Sequence, residues 1–153
     1  MIKRLLLAAA AGLLSLQAAA QVGVTDPWIR ATVPAQKATG AFMQLRSAKP
    51  ARLVGASSPA AGRVEIHQME MQGQSMRMHA VDAVELPAGQ PVDLASGGYH
   101  IMLLDLKRQM KEGEQVPLTL VVAGADGKRE NVALSVPVRP LAYSARPAAH
   151  AGH

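Results

Sequence analysis

Two stretches of this chain carry side chains able to hold a soft metal ion. Residues 63–80 read RVEIHQMEMQGQSMRMHA and contain four of the eight methionines and two of the five histidines. Residues 97–106 read GGYHIMLLDL and place His100 and Met102 two apart. On a β-strand, positions i and i+2 share a face, so His100 and Met102 project together while Tyr99, Ile101 and Leu103 point the other way. The first stretch reads as a hairpin turning at Gln72, Gly73 and Gln74. With Gln72-Gly73 central, His67 faces Met78 and Met69 faces Met76. With Gly73-Gln74 central, Met69 faces Met78. Both registers put His67, Met69, Met76 and Met78 on one face. A three-residue loop would pair His67 with His79 and send Met78 to the opposite face. The preference of type I′ turns for glycine at the second central position favours Gln72-Gly73.

His67 with Met78, and His100 with Met102, would make a donor set of two imidazoles and two thioethers. It is soft and neutral, and soft sulfur favours Cu(I), whereas magnesium and calcium select oxygen. A thioether carries no proton, so it binds without a deprotonation step, unlike a thiol. Four neutral ligands leave the ion's charge uncompensated, which moderates affinity and eases onward transfer. Methionine is also a common core filler, and periodicity alone does not bring the two stretches together.

The composition narrows the classes. The chain has 153 residues, 49% hydrophobic and 18% charged, which describes a globular domain and excludes a disordered one. Aromatics amount to 3%, too few for a base-stacking nucleic-acid platform. Cysteine is absent. That excludes disulfides, thiolate zinc, iron–sulfur clusters, a cysteine nucleophile and a blue-copper centre. No Ser-His-Asp order or acid pair stands out, Asp82, Asp93 and Asp105 read as turn or surface carboxylates, and an enzyme is not expected.

Residues 1–20, MIKRLLLAAAAGLLSLQAAA, read as a secretory signal peptide. Lys3 and Arg4 form its basic start, Leu5–Leu16 its apolar run, and Ala18-Ala19-Ala20 its cleavage site, with the cut after Ala20. The apolar run is too short to span a bilayer comfortably. With no cysteine at the cut, no lipid anchor is expected. Removing 20 of 153 residues leaves 133, and the formal charge drops from +5 to +3 as Lys3 and Arg4 leave. That mild charge supports no nucleic-acid role. A periplasmic monomer without a membrane span in its mature part is expected.

The elements that must position the candidate residues are β-strands. Short apolar, β-branched runs recur between Gly and Pro separators, predicting an all-β sandwich or barrel. The expected strands are Val22–Thr32, Gly40–Arg46, Arg52–Ser57, Arg63–Met71, Met76–Ala83, Val92–Leu94, Tyr99–Leu106, Val116–Val122 and Asn131–Val138. Asp126-Gly127 predicts a hairpin between the last two. Trp28, Phe42, Leu45, Leu53, Leu103, Leu118 and Leu120 are expected in the core. One domain covers residues 22–140, and residues 141–153 form a mobile tail.

The ladder His67, Met78, His100, Met102 is similar to the signature of the periplasmic copper chaperone family known as PCuAC. Ten residues separate the first two, twenty-one the next pair and one the last. The flanking segments VTDPWIRATVP, RLVGASSP, VEIHQMEM, VELPAGQPVDLASGGYHIMLLDLK, VPLTLVVAG and VALSVPV also resemble that family, so the likeness spans about residues 22–139. The resemblance implies a cupredoxin-like Greek-key β-sandwich with a Cu(I) site at one end, ligated by His67, Met78, His100 and Met102 and partly open to solvent. It further implies delivery to the dinuclear copper centre of cytochrome c oxidase, with that oxidase subunit or a Sco-type thiol protein as acceptor. Met69, Met71 and Met76 fall off the ladder and read as hairpin surface or secondary soft contacts, and His79 as structural or exposed. His150 and His153 offer a second, Cu(II)-type site in the tail. Copper storage or tolerance, and a metal-free binding module with an apolar methionine patch, are the rival functions.

Overall fold

The computed structural model describes residues 21–144, and the signal-peptide and His150/His153 readings lie outside them. Ten strands run in order: β1 (Val22–Arg30), β2 (Ala38–Ser47), β3 (Ala51–Ser57), β4 (Ala61–Gln72), β5 (Ser75–Ala80), β6 (Val84–Leu86), β7 (Pro91–Leu94), β8 (Tyr99–Leu106), β9 (Gln115–Gly124) and β10 (Arg129–Arg139). Hydrogen-bonded neighbours run β5-β4-β8-β2-β1-β10-β9-β3-β6, with β7 also on β2. The parallel contact of β1 with β10, Ile29 opposite Val138, is the seam between two layers. One layer is β5-β4-β8-β2-β1, the other β10-β9-β3-β6. The chain crosses between them repeatedly, which makes the all-β, Greek-key-like sandwich that the family resemblance implies.

Alternation along each strand builds the core. Ala41, Met43, Leu45, Ile66, Ile101 and Leu103 from the first layer meet Leu53, Val84, Leu86, Leu118, Leu120 and Val136 from the second in one buried cluster. Each is in contact with the opposite sheet only because its neighbours in sequence point outward. Val84–Leu86 is the one strand that periodicity does not reveal. It runs straight into the Pro87-Ala88-Gly89 turn signal, yet Val84 and Leu86 are both buried and pair with Leu53 and Ala51. The β9–β10 hairpin forms as expected around Asp126-Gly127, with Gly127 at φ 80°.

The β4–β5 register corrects the favoured turn. Met69 lies opposite Met78 and Gln72 opposite Ser75, so Gly73-Gln74 are the central residues. Gly73 has φ 65° and Gln74 does not share a positive φ, as a type II′ turn requires. A type I′ turn at Gln72-Gly73 would have forced Gln72 left-handed, at a steric cost glycine avoids. His67 therefore faces Ala80 rather than Met78. The displacement leaves the shared face unchanged.

Trp28 and Phe42 are buried, but outside the core between the sheets. The β1–β2 register shifts between Thr25 and Trp28, at Asp26-Pro27, where Asp26 has φ 49°. Proline cannot donate to the ladder, and the extra residue reverses the facing of the rest of the strand. Val22 and Ile29 then both face the core, while Trp28 and Arg30 turn to the outer face. There Trp28 stacks on Phe42 at 4.6 Å, Tyr143 packs edge-on at 4.8 Å, and the Arg30 guanidinium caps both rings. The Phe42 ring lies over Gly40, where an added Cβ would come within 2.6 Å of its Cζ. Because Trp28 pins that ring, Gly40→Ala should destabilise the fold by about 1–3 kcal/mol, read as a lower midpoint of urea unfolding. An unchanged midpoint would show that the ring moves freely.

Candidate metal centre

β4 lies between β5 and β8, and the candidate residues stand on the outer face of these three strands. His67 on β4 is directly opposite His100 on β8, and Glu65 is opposite Met102. Met102 also faces Gly40 on β2. Period two then fixes the face: Glu65, His67 and Met69 from β4, Met76 and Met78 from β5, His100 and Met102 from β8. The sheet thus brings all four ladder residues to one face at its β5 edge.

Three of the four come close together. His100 Nε2 lies 3.2 Å from Met78 Sδ, and the His67 and His100 rings are 6.0 Å apart, centre to centre. Metal–sulfur and metal–imidazole bonds of about 2.3 and 2.0 Å at a tetrahedral ion put two donors roughly 3.5 Å apart. Met102 is half-buried on the same face, two residues from His100 along β8 and opposite Glu65. His100 is 6% exposed, whereas Met78 is 48% exposed. The face therefore has an enclosed imidazole and an accessible thioether in contact.

Proton placement decides what these atoms can do. His100 Nδ1 is 3.2 Å from the Gly98 carbonyl, which can only accept, so the neutral ring carries its proton on Nδ1. That carbonyl is itself held by the Met69 N–H at 3.0 Å. The Nε2 lone pair is left aimed at a sulfur that also has only lone pairs to offer. His67 repeats the arrangement with its nitrogens exchanged. Its Nε2 donates to Glu65 at 2.7 Å, and its Nδ1 is buried without a partner. An orphaned buried acceptor is costly, and an ion is one of the few things that satisfies it. Each imidazole thus has one nitrogen fixed by an oxygen and one lone pair free, as metal-binding histidines do.

The buried setting of His100 favours its neutral ring. Burial pushes the His100 pKa below 6.5, the Gly98 hydrogen bond opposes this, and His67 adds a smaller push downward. The His67 hydrogen bond holds the Glu65 carboxyl below its usual range, with burial opposing and Arg63 assisting. Among the described residues, no group of three or more His, Cys, Asp and Glu is placed to hold a metal, so the donors gathered here are imidazole and thioether. A concavity of about 350 Å³ lined by Lys49, Val122 and Asp126 contains none of them.

Sequence reasoning missed Glu65 and Gly98. The signal for Glu65 was present, a carboxylate two residues before His67 and so on its face. The Gly98 carbonyl left none, since backbone acceptors have no residue signature. His79 points away from the site, with Nδ1 3.9 Å from Glu70 Oε2. His100 should titrate below 6.5 when monitored by imidazole NMR. Since its folded pKa is lowered, the stability it contributes is complete above about 6.5 and is lost as pH falls from there through the folded value. A midpoint at or above 6.5 would contradict the burial of the ring.

The family model for LpqE-like proteins matches residues 22–138. The protein named "Putative lipoprotein Lxx21020" of Leifsonia xyli subsp. xyli is 31% identical over 116 residues, which is 75% of this chain and 69% of that protein. Among solved structures, the apo PmoF2 PCuAC domain superposes with a TM-score of 0.64 at 23% identity, covering 82% of this chain and 95% of that one. DR1885 from Deinococcus radiodurans matches in its Cu(I) form with a TM-score of 0.51 at 34% identity, covering 83% of each chain. Its apo form matches with a TM-score of 0.57 at 33% identity, covering 91% of this chain and 93% of that one.

Proposed function

The chain belongs to the LpqE-like family, and from that premise we propose that it is a PCuAC-type domain that carries one Cu(I) on His67, Met78, His100 and Met102 and passes it on by ligand exchange. The observation that carries this reading is the His100 Nε2 lone pair facing Met78 Sδ across 3.2 Å, with the orphaned Nδ1 of His67 on the adjoining ring. Two lone pairs at that distance repel unless an electrophile lies between them. A soft monovalent ion is the electrophile that imidazole and thioether together prefer. The Cu(I) form of DR1885 lends chemical support at 34% identity.

Burial divides the work among the four. His100 and His67 are enclosed and oriented, so they keep the ion. Met78 is half exposed on an edge strand, so its sulfur is the donor an incoming ligand displaces first. Because both imidazole lone pairs are free in the neutral rings, loading releases no proton. Because all four donors are neutral, none leaves behind a buried charge when the ion departs. The chain acts as a carrier with no covalent or redox step of its own.

The acceptor in this reading is a copper protein outside the cytoplasm, with the dinuclear centre of cytochrome c oxidase as the destination and a Sco-type protein as a route to it. Export after cleavage at Ala20 supplies the compartment. No helix among the described residues is long and apolar enough to cross a membrane. A tail site at His150 and His153 for Cu(II) belongs to the same proposal.

X-ray absorption of the Cu(I)-loaded protein should show nitrogen and sulfur neighbours together. In a Met78→Ile, Met102→Ile variant the sulfur contribution should collapse, and a spectrum unchanged by that substitution would overturn the ligand set. Glu65→Ala should weaken Cu(I) binding about 10–100-fold in a competition titration, since His67 loses the acceptor that fixes its tautomer. Wild-type affinity in that variant would show that Glu65 has no part in the site.

A further inference from the structure

The methionines beyond the ladder are not explained by packing. Met71 is 58% exposed and Met76 is 48% exposed, and neither they, Met69 nor Met78 joins the buried core. All six residues of β5 are exposed, so the hairpin stands clear of the sandwich. Its two faces differ completely. One carries Gln68, Glu70, Gln72, Ser75, Arg77 and His79, an ordinary solvated surface. The other carries only thioethers toward the tip: Met71 opposite Met76, then Met69 opposite Met78. Exposed edge strands normally bear charge to discourage pairing, and apolar side chains here are a liability without a purpose.

The spacing suits a soft ion. Directly opposite residues in an antiparallel pair have Cβ atoms about 4.5–5.5 Å apart, so two flexible methionines can converge on one ion between them. Consecutive rows on one strand face are two residues apart, about 7 Å. Met78 belongs both to the inner row and to the contact with His100. The rows therefore lead without a gap from the hairpin tip to the imidazoles.

We propose that Met71 and Met76 form a second soft-ion subsite, which takes Cu(I) first and passes it through Met69 and Met78 to the two histidines. The inference rests on the carrier reading above and adds the path by which the ion enters. Each transfer exchanges one neutral donor for another, thioether for thioether along the rows and thioether for imidazole at the last step, at an ion that stays Cu(I), and no electron or proton moves. Two thioethers alone bind more weakly than the full set, so the ion moves inward.

The test uses the protein with its methionine methyls labelled with ¹³C, titrated with Ag(I). The first equivalent should shift the Met78 and Met102 methyls, and a second, weaker equivalent those of Met71 and Met76. In a Met71→Leu, Met76→Leu variant the second equivalent should be lost and the first retained, with slower loading from a Cu(I) donor complex. Leucine keeps the apolar surface and removes only the sulfur. Unmoved Met71 and Met76 methyls, with Met78 and Met102 responding, would overturn the subsite and leave the four-residue site standing. So would a double-leucine variant that keeps the second equivalent, or one that loads normally but loses transfer to an acceptor, since the methionines would then be a contact patch. No response from any methionine would overturn both readings.

Discussion

The proposed site depends on two lone pairs kept pointing at each other. His100 Nε2 and Met78 Sδ are 3.2 Å apart with no proton available between them, because the Gly98 carbonyl holds the imidazole proton on the other nitrogen. Left alone, that contact is mildly repulsive. It persists because its parts are set by larger forces. His100 alternates with Ile101 and Leu103, which the core buries completely, so the ring cannot leave the outer face without pulling the strand out of register. The stability of the sandwich is thereby used to hold a polar contact that contributes nothing favourable until an ion arrives.

The aromatic layer serves the same end from the side. The bulge at Asp26-Pro27 turns Trp28 outward onto Phe42, and Phe42 lies 6.2 Å from His100, ring to ring. Phe42 can lie flat only because position 40 has no side chain. That wall keeps water from one side of His100 and helps keep the ring neutral. On the other side the hairpin leaves Met78 in solvent. One flank is dry and rigid, the other wet and replaceable, which is the asymmetry a carrier needs.

Much of this is legible in the residues. Apolar, β-branched runs between Gly and Pro separators locate nine strands, and they miss Val84–Leu86, which runs straight into the Pro87-Ala88-Gly89 turn signal. The shared face of His67 and Met78 is readable without the correct turn, since shifting from Gln72-Gly73 to Gly73-Gln74 moves pairs by two positions and preserves facing. That β4 and β8 are neighbours is not readable from periodicity, because pairing across a long sequence separation leaves no local mark; the family resemblance supplies it. Size alone assigns Trp28 and Phe42 to the core. A bulge that reverses facing is what separates burial from membership of the core, and Asp26-Pro27 is its trace in the sequence.

The most direct test is the tautomeric state of the two rings, measured by ¹⁵N NMR of the metal-free protein near neutral pH and again with one equivalent of Ag(I). The account predicts a protonated Nδ1 and bare Nε2 on His100, the reverse on His67, and movement of both bare nitrogens when Ag(I) is added. A His100 ring protonated on Nε2, donating to the Met78 sulfur and unmoved by the ion, would contradict it.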